Sequence, residues 1–595
     1  GNPPYLGART IRASLGDGYL EAIRGIYSDV PDNADFVMYW WDRCAELVNG
    51  GSLQRFGLIT TNSIRQEFSR KVLNKHFAAN PKFGLRFCIP DHPWVDSSNG
   101  AAVRVALTTA DAAGGIGSLA IVEEETPGGD DEVMVALRHA HGLITPSLSV
   151  GHDIGTCTAL LANSQLSCVG YQLTGQGFVV NADTAQTLDP CFVDGSQLIR
   201  PLVSGSDIVR IPRGLYAIDL FALNVDQLRN KQPALYQHVL TRVKPERDQN
   251  PRQSLKDRWW IFGEARSTFR PALIELGRAL VTSLTAKHRT FVFVDAQAVC
   301  DSSTVMFALD NAWALGVLSS CTHVTWALAA GGRLGVGNDP RYNKSRCFEP
   351  FPFPILGDDQ QHRIGNLAEQ LDAHRKRQQA AHPDLTLTGM YNVLEKLRSG
   401  EVLSAKERTI HEYGIVSVLR QLHDEIDAAV LDAYGWSDLL PLLRKAMGID
   451  TAPTPATRAR ASAASVASAG APSGAIPSVE TSRNIAPEGA PAESGSASAR
   501  DISDLDRNEA KRAFDEAVLE RLVALNAERA AEEARGLVRW LRPEFQNPTS
   551  ASAPQQVEME TDEAESLVAP AIGKPVPWPR DAIQQVRAVA DVLAS

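Results

Sequence analysis

Between residues 35 and 109 the chain alternates helical and extended patterns, and that alternation narrows the fold to an α/β sheet. Over residues 35–48, Phe36, Val37, Trp40, Cys44, Leu47 and Val48 fall on one face at helical spacing. Asp32 or Asn33 can cap this helix, and Gly50-Gly51 ends it. Residues 56–62 form a short apolar strand, 66–77 a second helix, and 85–89 and 103–109 two further strands. Such β-α-β order implies an open, mostly parallel sheet. Ahead of it, a polar stretch with Gly7, Gly16 and Gly18 reads as a mobile loop.

Before that loop stand Asn2, Pro3, Pro4 and Tyr5. Each proline fixes φ near −65° and removes a donor, and Pro3 pushes Asn2 out of the helical region. The carbonyls of Asn2 and Pro3 are thereby held with little freedom. An amide oxygen beside a fixed carbonyl can accept both hydrogens of an exocyclic amino group, and Tyr5 can stack on the ring that carries it. Those are the needs of chemistry on a base extruded from a duplex. The same four residues also make an ordinary Pro-Pro turn, so the surrounding sequence must decide.

A chain of 595 residues with 44% hydrophobic and 22% charged content has room for several cored domains. No apolar run reaches the length of a membrane span. Eight scattered cysteines, with no C-x-x-C pair and no histidine cluster, argue against a zinc site or a disulfide scaffold and fit a reducing cytoplasm. The net charge of −11 points away from nucleic acid, but its distribution matters more. Residues 237–350 carry 15 Lys and Arg against 10 Asp and Glu. Acid collects elsewhere, at Glu558, Glu560, Asp562, Glu563 and Glu565. A local basic cleft is compatible with that arrangement.

The strings "NPPYLGA", "GLITTNSIRQ" and "DHPWVDSSNGAAVRVALTT" resemble one group of large bacterial DNA methyltransferases. These are class I, S-adenosylmethionine-dependent N6-adenine enzymes of type IIG and type IIL restriction-modification systems and related phage-defence methylases. The resemblance implies that residues 1–115 are the second half of a Rossmann-like methyltransferase sheet. It makes Asn2, Pro3, Pro4 and Tyr5 the catalytic motif and S-adenosylmethionine the methyl donor. Double-stranded DNA is the partner it implies, with restriction or defence subunits as possible companions and no membrane. The Gly-rich turn that holds the donor in such enzymes precedes the Asn-Pro-Pro-Tyr motif. Its nearest imitation here is Gly114-Gly115-Ile116-Gly117, which reads instead as a hairpin into the next domain. The expectation is a C-terminal fragment that begins at the motif, lacks the cofactor half and is inactive alone, with its cofactor-contacting residues unassigned.

Residues 116–355 mix short strands, Gly turns and aromatics. "YQLTGQGFVV", "LIRPLVSGSDIVRIPRGLYAIDL" and "LGVLSSCTHVTWALAAGGRLGVGNDPRYNKSRCFEPFPFP" resemble the target-recognition domain of the same group. Arg333, Arg341, Lys344 and Arg346 surround Gly331, Gly332, Gly335 and Gly337. Glycines allow close backbone approach to DNA, and the cations suit phosphates or guanine edges. Arg341 suits guanine, Asn338 or Asn343 adenine, and Asp339 a cytosine amino group. Composition alone describes a solvated loop; its position after a methyltransferase core favours a reader. Residues 199–213 are the second choice. Arg266, Arg270, Lys287 and Arg289 are weaker candidates, some of them expected to pair with Glu264, Glu275 or Asp295. Trp259, Trp260, Trp313 and Trp326 are expected in the core.

Residues 356–450 read as helical, including a single helix over 410–433 with the stripe Ile415, Val418, Leu419, Leu422, Ile426 and Val430. Residues 451–504 are an Ala-, Ser-, Pro- and Gly-rich linker. Residues 505–595 return to helix around a disordered segment at 549–568. His423 and its neighbouring acids read as a polar helix face and not a metal site. Two rival readings are a DNA sequence-recognition subunit and the modification part of a fused restriction endonuclease. Cytosine N4 is the rival target atom.

Overall fold

A computed structural model describes residues 1–94, 103–127, 133–151, 153–192, 195–334, 339–448 and 499–548. Residues 451–498 of the linker expected at 451–504, the segment at 549–568 and the last expected helix lie outside the described residues. Residues 1–546 form one unit, assigned separately from 547–595.

The Gly-rich stretch after Tyr5 is not a loop. It forms two short helices, α1 (Ala8–Leu15) and α2 (Asp17–Ile26), separated by Gly16 at φ +78°. Ile11 and Leu20 bury one face of each, and that burial outweighs the weak propensity of the glycines. Helix α3 (Val37–Asn49) ends at Gly50 as expected. It is followed by β1 (Arg55–Thr61), α4 (Glu67–Ala79), β2 (Gly84–Trp94) and β3 (Val103–Asp111).

The sheet order is β1-β3-β2, continued by β4 (Gly117–Pro127) and β5 (Val133–Gly142). It is not mostly parallel. β3 runs antiparallel to both β1 and β2, β4 runs antiparallel to β5, and only β2 and β4 pair in parallel. The eight residues between β2 and β3 are too few for the crossover that a parallel pair needs. Helix α4 does make such a crossover, from β1 to β2, and β3 inserts between them. The hairpin expected at Gly114–Gly117 is absent, because β4 lies beside β2 and not beside β3. The sheet therefore continues past residue 115 as far as Gly142. Gly1 adds a short parallel contact at the β1 edge: its ammonium donates to the Gly57 carbonyl at 2.7 Å, and the Ile59 N–H donates to the Gly1 carbonyl at 2.9 Å.

Trp41 sits at the centre of this core, edge-on to Phe56 and Phe83, with its indole N–H on the Thr108 hydroxyl at 3.3 Å. Beneath it, buried Asp42 receives His76 Nε2 at 2.7 Å and Lys75 at 3.2 Å, joining α3 to α4.

The following region is built on two four-stranded sheets. One runs Phe291–Asp295, Arg278–Ser283, Thr304–Phe307 and Ser167–Val169, all antiparallel. The other runs Val299–Cys300, Ile199–Val203, Tyr216–Ile218 and Val179–Val180. Trp259 and Trp326 are buried as expected, while Trp260 and Trp313 pack at the core's margin. Helices Asp358–Ala381 and Leu387–Ser399 both pack on Val416–Ala433, and the first reaches the Phe291 and Phe293 carbonyls through Arg375 and Lys376. The helix expected over 410–433 is broken: Ala405–Gly414 and Val416–Ala433 meet at Ile415, whose φ is +40°. The Gly414 carbonyl binds His374 Nε2 at 2.9 Å, which accounts for the helical ladder failing there. Leu419, Leu422, Ile426 and Val430 are buried, whereas Ile415 and Val418 are exposed. The long helix Ala499–Ala534 starts inside the stretch expected as linker, and the short helix Pro543–Gln546 follows it.

Burial opposes ionisation of Asp42, but its hydrogen bonds from His76 and Lys75 hold its carboxyl below the ordinary value. Its stabilisation is thus complete above the unfolded value near ~3.9 and is lost as pH falls through the folded one. Replacing Asp42 by Ala should destabilise the unit by about 3 kcal/mol near neutrality. That deficit should shrink on acidification, as read by denaturant melts at several pH values.

Candidate active site and recognition loop

Asn2 lies just beyond the Gly1 contact with β1, and it is exposed. Tyr5 turns back so that its hydroxyl donates to Asn2 Oδ1. The structure therefore brings together the amide and the ring picked out by the sequence, with Pro3 half-buried and Pro4 exposed between them. The amide oxygen proposed to accept from a base is held by Tyr5 in the free protein. A base entering the turn would exchange with that hydroxyl.

What anchors the turn was not singled out from the sequence. Asp35 is 8% exposed and lies where α3 begins. Its carboxylate accepts from the Val37 N–H at 3.2 Å and from the hydroxyls of Thr61 and Ser63, each at 3.3 Å. The Phe36 N–H donates to the Leu6 carbonyl at 3.0 Å. The motif's exit is thus tied to the start of α3 and to the end of β1 through two consecutive residues. Burial raises the Asp35 carboxyl above its ordinary value, and burial followed by the charge of Asp35 raises the Tyr5 phenol. In sequence, Asp35 looks like any acid at a helix start, so nothing local marks it as the support of the turn.

Past β1, Asn62 donates to Asp91 at 2.9 Å, and Arg104 reaches the same carboxylate at 2.6 Å. Asn62, Ser63 and Arg65 then line one wall of a cavity of about 520 Å³. Ser147 and Glu516 line it further on, and Arg346 faces it from the other region. The cavity therefore lies between the end of β1 and the base of the expected reading loop at Gly331 and Gly332.

Within that loop, Gly332–Leu334 pairs antiparallel with Asp339–Arg341. Asn338, Gly335 and Gly337 lie outside the described residues, and of Arg333 only the backbone is described. Asp339, Arg341 and Asn343 are partly exposed. Among the described residues the Arg341 Nε has no hydrogen-bond partner. Lys344 is held by Glu349 in an ion pair. Gly331 permits a close approach: a Cβ there would stand 2.5 Å from the Arg341 carbonyl.

The weaker candidates are structural: Arg266 keeps an expected partner, Glu264, whereas Arg270 and Lys287 take others. Arg270 forks onto Asp219 at 2.8 and 3.0 Å, and Lys287 pairs with Glu395 at 3.1 Å. Arg266 donates to the Gly170 carbonyl at 3.1 Å and reaches Glu264 only at 3.7 Å. In the second-choice segment, Arg213 is locked onto Asp207 at 2.8 Å and Arg200 lies 3.4 Å from Asp219. His423 is buried against Tyr391 at 2.7 Å, away from the loop and the turn.

A mixed sheet presenting an Asn-Pro-Pro-Tyr turn, coupled to a separate region with a basic Gly-rich loop, defines a methyltransferase module joined to a recognition module. Two family models match the chain: MmeI, DNA-methyltransferase domain, over residues 1–114, and MmeI, target recognition domain, over residues 165–355. The chain belongs to this family, that of the type IIG/IIL restriction-modification methylases. Among solved structures it is similar to the type IIL restriction-modification enzyme MmeI in complex with DNA. That likeness has 18% identity and a TM-score of 0.56, and covers 73% of this chain and 54% of that one. The type IIG restriction endonuclease BpuSI is also matched, at 10% identity and a TM-score of 0.23, over 73% of this chain and 54% of that one. The chain thus spans about half the length of these relatives. No curated protein matches it.

Asp35→Ala should free the Leu6–Phe36 junction, speeding hydrogen exchange at the Phe36 amide and costing about 1–3 kcal/mol. Because the Asp35 carboxyl is raised on folding, the folded state binds the extra proton and its stability falls as pH rises through that window. Asp35→Asn should abolish this slope. A melt series with the slope unchanged in Asp35→Asn would remove Asp35 from that role.

Proposed function

We propose that this chain carries the base-handling and sequence-reading parts of a site-specific DNA methyltransferase. The reaction is methyl transfer to adenine N6 in double-stranded DNA, in the service of restriction-modification or phage defence in the cytoplasm. The observation that carries the reading is the Asn2–Tyr5 pair, fixed to β1 through Gly1 and to α3 through Leu6.

In this reading Asn2 Oδ1 and the Pro3 carbonyl accept the two hydrogens of the extruded amino group. That turns the nitrogen lone pair out of conjugation with the ring and toward the incoming methyl group. Pro4 shapes the turn, and Tyr5, released from Asn2, stacks on the base. The nitrogen sheds its proton after it has gained the methyl group, so no strong base is required in the site. S-adenosylmethionine is the methyl donor that the family implies. The Gly114–Gly117 turn does not fit it: Gly114 and Gly115 pack against Lys82 and Arg86 and lead into a strand, not a helix. The 595 residues by themselves are proposed to bind DNA without transferring methyl groups. The sheet of residues 1–115 is read as the second half of a Rossmann-like fold, with β1, β2 and α4 as its βαβ element.

Recognition falls to Asp339, Arg341 and Asn343, with Asn338 and Arg333 beside them in sequence and Lys344 and Arg346 as phosphate contacts. The chain divides in this reading at 1–115, 116–355, 356–450, 451–504 and 505–595, with the first sheet running on to Gly142 and the helix Ala499–Ala534 beginning ahead of 505. A recognition-only role for this chain is the second reading, favoured by the misfit of the donor.

In a transfer-competent form of the protein, Asn2→Ala should lower methyl transfer by about 10²–10³-fold while leaving DNA affinity nearly unchanged. Radiolabelled-methyl incorporation and gel-shift titration measure the two, and near-normal incorporation would exclude Asn2. Nucleoside mass spectrometry of the product decides between N6-methyladenine and N4-methylcytosine. Arg341→Ala or Asp339→Ala should alter preference at one base pair by about 1–3 kcal/mol. Lys344→Ala should instead weaken all sequences alike and flatten the salt dependence. Selection from a randomised duplex library separates these patterns.

A further inference from the structure

The reading face is fastened from below by a buried cation. Arg289 is 8% exposed and forms no ion pair among the described residues. Its guanidinium donates instead to the Thr282 hydroxyl at 3.1 Å, to the Ser283 carbonyl, and to the Pro340 carbonyl at 3.0 Å. A buried cation without a counter-ion is costly, and burial pulls this guanidinium below its usual range. Two of its three acceptors belong to the sheet strand beneath the loop, and the third is the loop's own Pro340.

The loop is stitched there by more than Arg289. The Tyr342 N–H donates to the Leu284 carbonyl at 2.8 Å, and the Ala286 N–H to the Pro340 carbonyl at 3.3 Å. Tyr342 is 1% exposed, edge-on to Phe291 and Phe307, with its hydroxyl 3.0 Å from His323 Nε2. Burial drives His323 down to about 3, so that it is neutral at physiological pH. The Arg289 guanidinium also lies 5.2 Å from the Tyr342 ring centre, within cation–π range. Strand alternation then does the rest. With Tyr342 turned into the core, alternation sets Asp339 and Arg341 on the opposite side of the strand, both of them half-buried.

We propose that Arg289 is a positioning residue for DNA sequence recognition: through the Pro340 carbonyl and the Tyr342 ring it sets where Arg341 and Asp339 stand, without touching DNA itself. This rests on the reading of Arg341 and Asp339 as base contacts. A guanidinium can serve several acceptors in fixed directions, whereas an ammonium cannot hold that fork. Arg289→Lys therefore keeps the charge and loses the geometry.

The test uses the 595-residue chain, a randomised duplex library and thermal melts. Arg289→Lys should remain folded and bind DNA, yet lose about tenfold discrimination at the base pair assigned to Arg341, the size of one base contact. Tyr342→Phe, which deletes the His323 bond, and Gly331→Ala, which presses on the Arg341 carbonyl from the other side, should broaden preference at the same base pair. Arg341→Ala is selected in parallel. If Arg341→Ala changes preference and folded Arg289→Lys does not, the positioning role is wrong while the loop reading stands. If Arg341→Ala only lowers affinity for every sequence, the loop reading has failed first. Should Arg289→Lys lose its fold, Tyr342→Phe and Gly331→Ala carry the test, and unchanged preference in both overturns the proposal.

Discussion

One buried amide ties the segment ahead of the recognition region to that region's end. Asn526, on the helix Ala499–Ala534, accepts from the Thr158 N–H at 3.0 Å and donates to the Thr158 carbonyl at 2.9 Å and the Pro350 carbonyl at 2.6 Å. Every hydrogen-bonding group of the side chain but one lone pair is used, which is what makes a buried amide a strong specifier and a poor candidate for replacement. Around it, Glu533 accepts the N–H groups of Leu161 and Ala162 at 2.7 and 2.8 Å. Arg512 reaches Glu123 on β4 at 2.6 Å. The helix therefore grips the segment between the first sheet and the recognition region, the strand that extends the first sheet, and the end of the recognition region. The proposed division of labour, a base extruded at one place and sequence read at another, needs that distance held constant. A flexible joint would spread the target over several positions.

Much of the first sheet was legible in the sequence, because amphipathic periodicity is a local signal. Helices α3 and α4 and strands β1, β2 and β3 all lie close to their expected spans. Strand order was not legible: β3 inserts between β1 and β2 through pairings that depend on residues fifty apart, such as Leu58 opposite Thr108. Helices α1 and α2 were hidden by Gly7, Gly16 and Gly18, since the burial of Ile11 and Leu20 is a tertiary effect. The break at Ile415 was hidden for the same reason, as His374 that claims the Gly414 carbonyl lies forty residues away.

The candidate site divides along similar lines. Asn2, Pro3, Pro4 and Tyr5 carry their chemistry in their own covalent structure, so the turn could be read directly. Its supports could not. Asp35 acts through Thr61 and Ser63, and Arg289 through Pro340. In sequence, one looks like a helix-start acid and the other like one more cation in a basic stretch. Among the loop's cations the structure adds a distinction that composition lacks: Lys344 is engaged by Glu349, while the Arg341 Nε is buried without a hydrogen-bond partner among the described residues.

The central claim is that one DNA site is engaged by the turn at Asn2–Tyr5 and by the loop at Asp339–Arg341 together. It can be tested by photocrosslinking. A duplex bearing the selected site, with a photoreactive base placed at each position in turn, is irradiated with the protein, and the crosslinked peptides are sequenced by mass spectrometry. The account predicts that one position crosslinks to the peptide containing Tyr5 and a separate set crosslinks to the peptide spanning Asp339 to Arg346. Crosslinks confined to other surfaces, or no position that reaches Tyr5 while the loop is engaged, would contradict it.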